Sequence, residues 1–217
     1  MIDIERELGA VQRSVGTGPL GDGEGRVVRL ERTYDSSIED VWEALTTPER
    51  ISRWFLPISG DYRLGGRYQL EGNAGGEILE CDRPHVLRVS WVFGEMAAAG
   101  PDSEVVVRLT PAGAGSTTVE LEHIAIVPDE FWDQFGPGAV GVGWDGAVLG
   151  FSLHMRGGSV DDPIAWQLSE EGREFFARSS AAWGVAYEAS GGDPDAVKKA
   201  VANTTAFYAP EPQETPS

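Results

Sequence analysis

Three side chains bound the chemistry that this chain could perform: His123, Glu77 and Arg32. His123 stands in a run where Val119 and Leu121 share its parity, while Glu120 and Glu122 take the other face. A histidine on the dry face of a strand could donate to a ligand or exchange a proton with it. It could equally be a core histidine satisfied by backbone or water. Glu77 shares parity with Leu79 and Cys81, so it could face a cavity. A buried carboxylate there would have a raised pKa unless His123 or Arg32 paired with it. The opposite parity puts Ile78 inside and Glu77 in water. Of the other histidines, His85 precedes a strand, and His154 lies near a helix end, where its charge suits the dipole. No two histidines are spaced i,i+4 and Cys81 is the single cysteine, so neither a metal site nor a disulfide is expected. No nucleophile elbow, Walker loop, dinucleotide fingerprint or HExxH occurs, so no cofactor is expected and no residue is assigned as catalytic.

Aromatic residues carry more information. Trp42, Trp54, Trp91 and Trp144 fall on four different elements, each on an apolar face. Large aromatic walls suit a pocket for a flat apolar molecule, and they also suit ordinary core packing. Trp54, beside Phe55 and Pro57, and Trp144 are the best candidates for wall residues. Trp42 shares a helix face with Ile38, Val41 and Leu45 and reads as core. Trp54→Ala is therefore expected to weaken ligand binding and Trp42→Ala to destabilise the fold.

The elements that must position these residues follow from periodicity. Residues 26–34 alternate as a half-buried strand, with Val28, Leu30, Arg32 and Tyr34 on one face. Ser36 or Ser37 caps a helix, and Thr47-Pro48 ends it and starts another. From Pro57 onward the period becomes two, with strands at 58–63, 66–71, 75–82, 85–93, 103–110 and 116–126. Gly65-Gly66, Gly72-Asn73, Asp82-Arg83-Pro84, Gly100-Pro101 and Gly113-Ala114-Gly115 punctuate them, which predicts an antiparallel meander. One sheet face is dry and needs a cover. The candidate is 128–155, interrupted at Gly136-Pro137-Gly138, with Val140, Trp144, Ala147, Val148, Phe151 and Met155 on one stripe. Its glycines at 141, 143, 146 and 150 weaken a helix by about 1 kcal/mol each relative to alanine. They therefore point to close approach to the sheet or to room for a ligand. Ser169 caps a further helix, Asp193-Pro194 opens another, and Pro210 onward is a tail.

The 217 residues carry 35 acidic against 17 basic side chains, a net charge of −18. Such a field repels nucleic acid and anionic membrane, so neither is expected as a partner. No apolar run approaches the ~20 residues that span a bilayer. The first ten residues lack the apolar segment of a secretory leader. With one cysteine, this points to a cytoplasmic location.

Strand, two short helices, meander and long helix is the order of the helix-grip fold. The run VWEALTTPERISRWFLP at 41–57 resembles the START-like (SRPBCC) superfamily, in the branch related to the heat-shock-protein-90 ATPase activator. Gly65-Gly66, GGEILECDRPHVLRVSW at 75–91, Gly143-Trp144 and LEHIAI at 121–126 are similar to the same branch. The resemblance covers about 26–155. It implies an α+β fold, a sheet wrapped around a long C-terminal helix with a hydrophobic cavity between them, and it implies no particular reaction. The expected organisation is a flexible N-terminal arm at 1–25, the helix-grip domain at 26–155, a helical extension at 156–210 and a tail at 211–217. The expected function is binding of a small hydrophobic molecule by Trp54, Phe55, Glu77, Trp91, His123, Trp144, Val148 and Phe151. The alternatives are a cyclase- or aromatase-like enzyme using Glu77 and His123, and a protein-interaction module that partners a chaperone or forms a homodimer.

Overall fold

A computed structural model of the protein describes residues 1–93 and 103–211. The turn expected at Gly100-Pro101 and the tail from 212 lie outside the described residues. Strands β1 (Gln12–Leu20) and β2 (Gly23–Tyr34) follow helix α1 (Ile4–Gly9). Helices α2 (Ile38–Thr46) and α3 (Pro48–Ile51) lead into β3 (Ile58–Gly60), β4 (Arg67–Leu70), β5 (Gly75–Asp82), β6 (Val86–Ser90), β7 (Ser103–Gly113) and β8 (Ser116–Ala125). All eight strands form one antiparallel sheet in the order β1-β2-β8-β7-β6-β5-β4-β3. The fold is α+β, of the helix-grip type: β2 closes on the last strand of the meander, with Val28 opposite His123 and Leu30 opposite Leu121.

Local chemistry explains the α2–α3 corner. The Ser37 side chain accepts the Asp40 N–H, and Glu39 and Asp40 sit in the positive first turn. Thr47 is extended, as a residue before proline must be, and Pro48 opens α3 at a position that needs no N–H.

The first twenty-five residues differ from the flexible arm that their glycine content predicts. They form α1 and a hairpin strand paired with β2 from Gln12–Glu31 to Leu20–Gly23. Gly21-Asp22 is the two-residue turn, and Gly21 has φ +56°, the left-handed value such hairpins require. Glycine density here reports a tight turn, and composition alone cannot separate that from a linker.

Five helices and their junctions finish the described residues: α4 (Asp129–Phe135), α5 (Gly138–Met155), α6 (Pro163–Leu168), α7 (Glu170–Ala189) and α8 (Pro194–Tyr208). Helix α5 packs one side on the sheet, where Trp144, Ala147 and Leu149 join Val28, Leu30 and Val105. Its glycines open the other side, away from the sheet. A Cβ at Gly141 would lie 2.2 Å from the Trp183 ring of α7, and one at Gly150 would lie 2.4 Å from the Trp54 carbonyl. Of the two readings the sequence offered for these glycines, close approach to the sheet is corrected: Gly141 admits α7 and Gly150 the α3 exit, while Gly143 lies in the wall of a cavity.

Two buried carboxylates fasten the layers together. Asp145 of α5 is 1% exposed. Arg13 of β1 donates to it through Nε (3.0 Å) and Nη2 (2.9 Å), Ser179 Oγ donates at 2.6 Å and Trp183 Nε1 at 3.0 Å. The remaining Arg13 donor, Nη1, reaches the Leu8 and Val11 carbonyls. Glu7 of α1 receives Arg156 Nη2 (2.7 Å), Arg32 Nη2 (2.8 Å), Ser152 Oγ (2.9 Å) and Arg6 Nη2 (3.0 Å). Burial alone would raise the Glu7 pKa, but the guanidinium donors outweigh it and hold the carboxyl down at about 2.

Removing one partner of such a pair is far more damaging than removing both. Arg13→Ala is expected to lower unfolding stability by about 3 kcal/mol or more, read by urea denaturation. Arg13→Met with Asp145→Leu is expected to recover most of that loss. Glu7 has a folded pKa below its ordinary value, so its contribution is complete above pH ~4.5 and fades as pH falls toward 2. Glu7→Gln should flatten the acid limb of a stability–pH curve, and an unchanged limb would refute the assignment.

Candidate functional site

The meander brings one apolar row together at the end of the sheet where β7 begins and β8 ends. Ser103 pairs with Ala125, and Val105 with His123, so their side chains share the inner face. Trp91 follows β6 and donates its N–H to the Ser103 carbonyl at 2.8 Å. Helix α5 starts over this row and sets Trp144 against it. The Trp91 and Trp144 rings are 4.9 Å apart, and the Phe55 ring lies 6.4 Å from Trp144.

These residues floor a cavity of about 810 Å³. Phe131 and Phe135 of α4 form one side, with Ala139, Val140 and Gly143 of α5. The last turns of α8 form another, through Thr204, Phe207 and Tyr208. Three side chains of α8 hold this wall in place. Asn203 Nδ2 donates to the Gln134 carbonyl (2.7 Å), Thr204 Oγ1 to Phe135 (3.1 Å) and Tyr208 Oη to Ala139 (2.8 Å). The Gln134 and Phe135 carbonyls are in the last turn of α4, which a helix end leaves without intrahelical partners, and Tyr208 adds a second bond to a carbonyl in the first turn of α5.

His123 is 7% exposed and both ring nitrogens are engaged. Trp144 Nε1 donates to Nδ1 at 2.9 Å, and Nε2 lies 2.6 Å from Ser103 Oγ. Burial pushes its pKa down to about 4, so the ring is neutral at physiological pH.

The expected wall residues divide. Phe55, Trp91, His123 and Trp144 line the cavity. Glu77 does not: Ile78 is the buried member of that pair at 7% exposure. A register irregularity between Ile78 and Glu80 makes parity read from Leu79 and Cys81 unreliable. Glu77 stands opposite Arg67 on β4, its N–H taken by Ser90 Oγ. Arg32 is not its partner either, being committed to Glu7. Trp54, Val148 and Phe151 are core residues: Phe151 packs edge-on to both Tyr34 and Trp54 at 4.9 Å. Trp54 donates its indole N–H to the Ala44 carbonyl at 3.0 Å, which turns it toward α2 and away from the cavity. The cavity lies under the first half of α5, from Ala139 to Trp144.

Sequence reasoning missed Ser103, the α4 aromatics and all of α8. Phe131 and Phe135 are spaced i,i+4 on one helix face, a signal available before the structure. Nothing local marks α8 as part of the site, because its contribution comes from tertiary packing far along the chain from the floor strands.

The family model described as "Activator of Hsp90 ATPase homolog 1-like protein" matches residues 35–148. The crystal structure of CalU16 from Micromonospora echinospora is similar at 33% identity and a TM-score of 0.66, covering 82% of this chain and 99% of that one. The solution structure of CalU16 gives a TM-score of 0.68 at 33% identity, over 83% of this chain and 97% of that one. Such coverage exceeds residues 35–148, so part of the N-terminal hairpin or the C-terminal helices is common to both chains. The Aha1 dimer from Colwellia psychrerythraea shares the fold at 16% identity and a TM-score of 0.50, over 59% of this chain and 95% of that one. Comparison with curated protein sequences gives no match. The matched segment contains the α2–α3 corner, the whole meander and the Trp144 half of α5, and the chain belongs to the family of activator-of-Hsp90-ATPase homolog 1-like proteins.

Proposed function

We propose that the protein binds a small hydrophobic molecule in the cavity between the β6–β8 end of the sheet, α4, the start of α5 and the end of α8. One observation carries this reading: a cavity of about 810 Å³, within the range of small-molecule sites, has no charged side chain among its described lining residues. Stacked and tilted aromatic rings on its floor suit a flat ligand.

Catalysis of the cyclase kind would need an acid and a base converging on the ligand. Glu77 faces outward, Arg32 is bound to Glu7, and His123 is a neutral ring with both nitrogens occupied. The arrangement can orient a ligand, and it offers no strong base among the described lining residues. The exposed rim of Phe93, Ile126, Phe131 and Phe207 also fits the reading as a protein-interaction module. Light scattering with and without ligand separates the two: a ligand that enters without changing the mass supports the first.

Native mass spectrometry of the purified protein tests for a co-purifying molecule, and titration with the neutral dye Nile red tests the cavity directly. Ala125→Trp projects from the same face as His123 into the cavity and is expected to weaken dye binding at least roughly tenfold, the effect of a lost apolar contact area of ~60 Å². Retained affinity in that variant would refute the site. Trp54→Ala is expected to lower the melting temperature by several degrees, with dye affinity of the folded protein unchanged. Because His123 titrates near pH 4, affinity should be flat from pH 6 to 8, and NMR titration should place its pKa below the ordinary histidine range.

A further inference from the structure

Resting on the cavity being the binding site, we propose that it selects a neutral, planar molecule bearing a hydrogen-bond acceptor of the ring-ketone type, and that the Ser103 hydroxyl reads this acceptor. The hydrogens around His123 can be placed one by one. An indole N–H can only donate, so the 2.9 Å contact from Trp144 requires His123 Nδ1 to be bare. A neutral imidazole then carries its hydrogen on Nε2, which donates to Ser103 Oγ at 2.6 Å. Ser103 Oγ has accepted, and its own hydrogen has no acceptor among the described residues. It lies in the cavity floor.

Protonating His123 would set an N–H against the Trp144 N–H in a site already shielded from water. The direction of the relay, Trp144 to His123 to Ser103, is therefore locked at physiological pH.

The other hydroxyls in the wall do not duplicate this donor. The Thr204 and Tyr208 hydroxyls give their hydrogens to the Phe135 and Ala139 carbonyls. Asn73 accepts the Ala74 N–H through Oδ1 at 2.7 Å, which leaves its amide nitrogen as a second donor, on the β4–β5 turn. An ionised ligand would lose its water with no counter-charge among the described lining residues. A purely hydrocarbon ligand would leave the Ser103 hydrogen without a partner. A neutral ring system with one carbonyl at its edge meets both conditions, with its faces against Trp91 and Trp144.

The test uses three probes on the full-length chain by isothermal titration: 9-fluorenone, fluorene with the same skeleton and no carbonyl, and 9-fluorenone-4-carboxylate. Fluorenone is expected to bind roughly 3- to 10-fold tighter than fluorene, the worth of one neutral hydrogen bond, and the carboxylate weakest. Ser103→Ala should bring fluorenone to the level of fluorene and leave fluorene unchanged. Nitrogen NMR should find His123 bare at Nδ1 and protonated at Nε2 in the free protein, a readout that a merely structural serine would not predict. Equal binding of fluorenone and fluorene to the unaltered chain overturns the proposal while leaving the cavity as a binding site. So does loss of the preference in Asn73→Ala but not Ser103→Ala, tighter binding of the carboxylate, or an Nδ1-protonated His123. Binding of neither Nile red nor any of the three probes to the unaltered chain, or binding that Ala125→Trp leaves intact, overturns the binding site itself.

Discussion

Helix α5 runs between the sheet and α7, and the buried carboxylate it carries at Asp145 must be answered from inside the protein. Arg13 arrives from the N-terminal hairpin, and Ser179 and Trp183 from α7. A charge that cannot reach water binds whatever supplies its donors, because an unmatched buried carboxylate costs several kcal/mol. The segments flanking the meander are thus structurally committed. With α7 docked through Gly141, α8 falls across the α4–α5 corner, and the cavity acquires its last wall.

That order of dependence explains why the polar interior splits into two kinds. Around Asp145 and Glu7 every oxygen is met by donors from separate elements, which fixes how those elements sit. Around His123 the network is linear and ends in an open position at Ser103. A closed network gives rigidity, and a chain that ends at a cavity gives direction to whatever enters. The low polarity of the surroundings strengthens both.

Much of the fold was legible because it rests on period and punctuation. The alternation at 116–126, the Ser37 cap and the Pro48 restart each act within a few residues, and the structure has β8, α2 and α3 where these signals put them. The candidate site was half legible. His123 and Trp144 sit on regular elements whose facing side follows from the strand and helix periods, and Trp91 directly extends β6. Glu77 was misplaced because a register irregularity breaks parity within β5. Trp54 was misplaced because a carbonyl of α2, ten residues away, captures its indole. The glycines of 12–25 and 138–150 were read from composition, whereas their role depends on partners that only the folded chain brings near.

The pinning of α8 by three side-chain donors has a further consequence. The residues that wall the cavity on this side, Thr204, Phe207 and Tyr208, lie beyond residue 148, where the family model ends. The domain supplies a floor and a directed donor, and the chain's last helix supplies the boundary. Changes at the far end of α8 would therefore redraw the shape of the cavity while the sheet, its register and its buried ion pairs stay as they are. The boundary of the cavity and the packing of the sheet rest on separate stretches of the sequence.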